Sequence, residues 1–203
     1  MHKSLRHTVR VHVCGLVLLS FILGTTTVVA RAEEKKVPIK ISGGHETDRR
    51  DGGRPVVLIA AALGVKTEVF REAFSGVTPA KNGGPSDSEA RANKAALMKV
   101  LQPHGITNER LDEVSNYYRY RPQKGELWKN SPAKGHAIVE DGVVKKIVIT
   151  EPGAGYSSSP KISIEGMDQV VLKSTLKFDK DFKKNGSISS VEVAPPEEKK
   201  PDK

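Results

Sequence analysis

Residues 116–128, NYYRYRPQKGELW, hold three of the four tyrosines and the only tryptophan of the 203-residue chain. Upstream of this stretch, apolar residues recur at helical spacing. Downstream they alternate at the strand period of two. The stretch is therefore read as an aromatic and basic hinge, spanning 121–136 beyond the last helix, where a helical half and a β half meet.

Working upstream, Asn108 is expected to cap a helix whose apolar face carries Leu111, Val114 and Tyr118. At about 100° per residue, Tyr118 falls within about 20° of Leu111 and belongs to the core. Tyr117 and Tyr120 fall on the other side, interleaved with Arg119 and Arg121, and Trp128 lies beyond Pro122 and Gly125. Aromatic rings beside guanidinium groups suit sugar rings, peptides or polyanions. The candidate ligand-binding residues are thus Tyr117, Arg119, Tyr120, Arg121 and Trp128. The competing use of such rings is to glue helices to a sheet.

Ahead of it, Ser86 with Glu89 forms a capping box for a helix running to about Leu101. Earlier still, Pro55 opens VVLIAAAL, apolar on every side and hence buried, which Gly64 ends. Thr67 is expected to cap the next helix, with Val69, Phe70, Ala73 and Phe74 on one stripe. A weak internal repeat aligns GVKTEVFRE (64–72) with GITNERLDE (105–113). The expected unit over 55–120 is therefore four helices in two αα-hairpins. Ala60, Gly64 and Phe70 also match the spacing of a DNA-binding helix-turn-helix. The second helix there, with Glu68 and Glu72, is mostly the wrong sign for reading DNA.

Working downstream, HAIVE (136–140) and VVKKIVIT (143–150) flank Asp141-Gly142, a tight hairpin turn. KISIE (161–165), VVLKSTLKF (170–178) and SISSVEV (187–193) follow. Together they predict an antiparallel β unit of about five strands over 137–194. Residues 195–203, PPEEKKPDK, read as a disordered tail. The chain is accordingly expected to be an α+β protein.

Residues 33–54 read as a flexible polar segment, in which only VPIKI (37–41) is able to pair as a strand. Within it, His45, Glu46 and Asp48, with Tyr156 as a possible neighbour, are the only cluster with metal-ligand chemistry. They carry an alternative reading as a metal-assisted hydrolase. Glycines on both sides argue for a mobile loop instead, and no cofactor is expected. Gly153-Ala154-Gly155 joins two strands with no Gly-Lys-Ser/Thr after it, so it is a turn and not a phosphate cradle.

Residues 1–32 have the pattern of an export signal. Lys3, Arg6 and Arg10 precede the apolar run 13–24, and Ala30-Arg31-Ala32 supplies the small residues of a cleavage site. No stable membrane span is expected after cleavage. Removing this segment leaves 29 basic against 24 acidic residues, lowering the formal charge from +9 to +5. That is a poor basis for nucleic-acid binding. The only cysteine, Cys14, goes with it, leaving no disulfide and no thiol nucleophile. The expected address is the periplasm, cell envelope or exterior, with a glycan, peptide or envelope protein as partner. The expected role is a non-enzymatic binding or structural module, or a subunit of a larger extracytoplasmic assembly.

Two resemblances rest on these residues. Gly142 through Thr150, then Pro152-Gly153-Ala154-Gly155-Tyr156, Pro160 and Ile162-Ser163-Ile164 resemble the GxGY β-repeat of bacterial surface and phage-tail proteins. That implies a structural or adhesive module. GGHETD (43–48), GRPVVLIAAALGV (53–65), EVFREAFSGV (68–77), LDEVSNYYRYRP (111–122), GELW (125–128) and PGAGYSS (152–158) are similar to a family of exported bacterial proteins of unknown function. No activity comes with it.

Overall fold

The computed structural model describes residues 33–78, 84–120 and 124–194. The expected export signal, the tail 195–203 and Arg121 lie outside the described residues. Four α-helices and two antiparallel sheets make up an α+β fold.

Strand β1 (Lys35–Ser42) alternates half-buried and exposed positions along most of its length. Helices α1 (Val56–Leu63) and α2 (Thr67–Ser75) follow, then α3 (Asp87–Leu101) and α4 (Asn108–Tyr117). Helix α1 packs between α2, α4 and the Asn185-Gly186 turn, and most of its side chains are buried, as its all-apolar sequence requires. Helix α2 packs on α1 and α3, and α4 packs on α1.

The internal repeat has a geometric basis. Gly64 and Gly105 both take left-handed φ, 76° and 78°. In each copy the following amide reaches back five residues, Val65 N–H to the Ala60 carbonyl and Ile106 N–H to that of Leu101. This is the six-to-one bond of a Schellman turn. Both helices then begin one residue earlier than the sequence suggests. The caps are Lys66 and Thr107, not Thr67 and Asn108. Thr107 wins because its hydroxyl accepts from Arg110 N–H at 3.2 Å, the reach an N-cap needs. Lys66 offers no side-chain cap. The Ser86–Glu89 capping box is formed in both directions.

All five expected downstream strands are present: β2 (Lys134–Glu140), β3 (Val143–Glu151), β4 (Lys161–Ile164), β5 (Leu172–Lys177) and β6 (Ser187–Val193). Asp141 and Gly142, both at positive φ, turn β2 into β3. The N-terminal stretch departs from its reading as a flexible polar segment, because β1 is an inner strand of the sheet. The order is β3-β2-β1-β4, with β1 antiparallel to β2 on one side and to β4 on the other. The β5–β6 ribbon then sets β6 against β3 and β5 against β4, so it spans the two free edges and the strands curl around a common interior. Tyr156, Ile162 and Ile188 fill that interior, with Ile39 and Ile41 of β1 packed on them.

Candidate functional site

Three places concentrate side-chain chemistry, and the two halves meet at the first two. The first is the segment 178–186 between β5 and β6, which docks on α1 and α4. Asn185 is fully buried there. Its amide donates to the Leu58 carbonyl of α1 at 2.7 Å and to the Tyr118 hydroxyl at 2.9 Å. Its Oδ1 accepts from Asp179 N–H, and its backbone carbonyl accepts from Gly155 N–H. A buried amide this well satisfied locks one geometry, because any other arrangement strands its donors. Burial pushes the Tyr118 hydroxyl up to about 12, against the opposing pull of the Asn185 hydrogen bond. Phe182 stacks on Tyr117, with centroids 4.1 Å apart and planes 8° apart. The Arg110 guanidinium lies 4.9 Å from the Phe182 centroid and donates to the carbonyls of Ala62 and Lys180. It thereby satisfies an acceptor left orphaned at the C-terminus of α1.

The second place is the GAGY turn. Gly153 and Gly155 take positive φ, as a turn reading demands. Ala154 exchanges two backbone bonds with Ser131, and Tyr156 N–H donates to the Gly186 carbonyl. The Trp128 indole donates to the Gly155 carbonyl at 2.8 Å. Tyr156 accepts the Ala133 N–H on its hydroxyl. His45 lies against both rings, stacked on Tyr156 at 5.4 Å and edge-on to Trp128 at 5.9 Å. Its Nε2 is enclosed with no hydrogen-bond partner among the described residues. Burial lowers its pKa, partly offset by the nearby Glu46 charge.

GGHETD therefore does sit against the hinge, yet its ionisable groups diverge. Glu46 is hydrogen-bonded to the Ser158 hydroxyl. Asp48 is gripped by Arg50 at 2.7 Å and approached by Arg71, with its carboxyl held far below the usual range by the Arg50 hydrogen bonds. Asp51, whose side chain is 3% exposed, takes a two-pronged bond from Arg71 at 2.8 and 3.0 Å. His45, Glu46 and Asp48 thus address three different partners. Among the described residues no group of three His, Cys, Asp or Glu side chains converges as a metal would need.

The third place is a cleft of about 370 Å³ on the helical side. Ile59, Phe70, Phe74 and Leu97 give it an apolar floor, and Arg54, Arg119 and Tyr120 line it alongside. Arg54 lies over the Phe74 ring, 4.3 Å from its centroid, and Arg119 donates to the Asn116 side chain at 2.6 Å. Neither guanidinium has a carboxylate at ion-pair distance among the described residues. Asp51, three residues before Arg54, is already held by Arg71.

Of the five residues read as one contact patch, the four that are described are dispersed. Arg119 and Tyr120 line the cleft. Tyr117 is engaged with Phe182, and Trp128, 2% exposed, is interior packing and not surface. Tyr120 makes the link between cleft and seam, 6.2 Å from Trp128 and pressed on Gly53. Arg54, Phe74, Phe182 and Asn185 carried no sequence signal of their parts here. A capped loop, an apolar stripe and an Asn-Gly turn each look alike wherever they dock. Among known proteins the chain matches no family model, no curated protein and no solved structure.

Proposed function

We propose that the chain is an exported, non-enzymatic binding or structural module of the cell envelope or exterior. Its contact surface would be the cleft lined by Arg54, Arg119 and Tyr120. The observation that carries this reading is a pair of guanidinium groups, free of acidic partners among the described residues, above a floor of aromatic and aliphatic side chains. Arg119 is exposed and Arg54 half-buried, so an anionic group arriving from solvent can reach both charges. The groups that could do proton chemistry are meanwhile tied to structural partners or, like His45, enclosed between rings. The basic, apolar and small-residue succession of residues 1–32 supports export. The likeness of Gly153–Tyr156 to the GxGY repeat supports a structural role.

Cell fractionation of the tagged full chain tests the address. Glycan, peptide and envelope-protein panels test the binding, with an Arg54→Gln/Arg119→Gln protein as the comparison. Capture that disappears in the double variant, at unchanged melting temperature, is the expected result. Turnover of any substrate that is abolished by His45→Ala or by a chelator would overturn the reading.

A further inference from the structure

We propose that the cleft takes a small amphipathic carboxylic acid, one carboxylate on an aryl or medium-length acyl body; this inference rests on the binding reading above. The floor of Ile59, Phe70, Phe74 and Leu97 has nothing to offer a polar group, so the ligand must bury apolar surface there. At about 370 Å³ the space suits one ring or a short chain and not an extended polymer. Arg54 lies over Phe74, which keeps its charge at the edge of that floor. Arg119 uses one of its donors on Asn116 and has others to give. A planar carboxylate matches the guanidinium fork better than any neutral headgroup.

The alternatives fit less of this. A sugar wants several directional hydrogen-bonding side chains, whereas among the described residues only Ser115, Tyr118 and Tyr120 join the two arginines at the cleft as polar side chains, and the Tyr118 hydroxyl is already bonded to Asn185. A polyanion would use the charges and leave the aromatic floor without a purpose. Among the described residues no carboxylate or imidazole lines the cleft to hold a metal.

Calorimetric titration of the whole protein with octanoate and with 3-phenylpropionate tests the assignment, alongside the methyl ester of each. The acids are expected to bind one to one, and the esters about tenfold more weakly for want of the charge-assisted bonds. Arg54→Gln or Arg119→Gln should bring the acids down towards the esters and leave the esters unmoved. Leu97→Trp, which fills the floor, should lose both; if that variant fails to fold, the two arginine variants still decide. Esters that bind as well as acids, or acids that do not bind, overturn the ligand class. If the acids fail while panel capture still depends on Arg54 and Arg119, only the ligand class falls. If neither depends on the arginines, the binding reading falls with it. A peptide ending in phenylalanine that outcompetes 3-phenylpropionate would overturn the choice of a free acid, and heparin binding in its place would make the site one for polyanions.

Discussion

At the scale of single residues, the buried Asn185 side chain ties α1 and Tyr118 to the segment between β5 and β6. Replacing it with leucine leaves the Tyr118 hydroxyl and the Asp179 N–H without this partner in a buried seam, and takes from the Leu58 carbonyl the bond it makes outside its helix. Asn185→Leu should cost about 3 kcal/mol by urea denaturation, since buried groups left unsatisfied carry their full desolvation penalty. Tyr118→Phe should cost only about 1 kcal/mol, because Asn185 keeps its bond to Leu58. Equal losses in the two variants would mean that the seam is held by packing alone. His45 gives a pH dependence with a definite sign. Its folded pKa lies below the ordinary 6.5, so as pH falls past that value the unfolded chain takes up the proton first. Stability should therefore decline from pH 6.5 down to the folded pKa and level off below it. His45→Phe preserves the ring contacts and removes the titrating group, so its urea midpoint should fall less over that window. Parallel pH profiles for the two proteins would show that burial of His45 has no energetic consequence.

At the scale of elements, the helix ends are set by capping chemistry, and the two copies of the repeat differ in how well they are capped. Ser86→Ala removes the side-chain half of the capping box on α3, the backbone N–H at 86 still donating to Glu89, and should cost about 1 kcal/mol. Lys66 stands where Thr107 stands in the second copy, with the same extended backbone but no side-chain acceptor. Lys66→Ser should raise stability by about 0.5–1 kcal/mol in thermal or chemical denaturation, a gain that needs no change elsewhere. A neutral or destabilising result would show that the lysine stem packs usefully on the exposed α1–α2 corner. Gly186 marks the opposite case. It takes φ +65°, and a Cβ there would run into the Tyr156 backbone and come within 2.6 Å of Leu58. The Asn185-Gly186 pair is thus a turn whose partner contacts, and not the turn alone, demand glycine.

At the scale of the whole molecule, the helical and β parts share buried residues. Trp128 and Tyr118 sit in the helical core, Phe182 reaches into it from between β5 and β6, and β1 enters the sheet from the far end of the chain. Unfolding should be a single transition, with the near-ultraviolet signal of Trp128 and the far-ultraviolet helix signal coinciding in urea. Removing residues 33–42 takes out an inner strand, leaves the β2 and β4 edges unpaired, and should abolish that transition. A fragment of 55–120 that folds by itself would refute this coupling.

The local elements were legible in the sequence because their causes are local. An all-apolar run bounded by Pro55 and Gly64, a Ser86–Glu89 box, an Asp141-Gly142 turn and period-two alternation each specify an element within a few residues. Tyr118 as core followed from helical phase alone. What covers what did not follow. Alternation shows that Lys35–Ser42 can pair but not that it lies between β2 and β4, since pairing over such separations depends on surfaces distant in the chain. Trp128 reads equally as contact or core until Gly155 appears beside its indole. Arg54 and Arg119 became a candidate site only when folding brought them into one cleft with four apolar side chains, without acidic partners at ion-pair distance among the described residues. Sequence chemistry thus determined the elements, while only the tertiary packing decided which rings were glue and which cations, among the described residues, stand without an acidic partner.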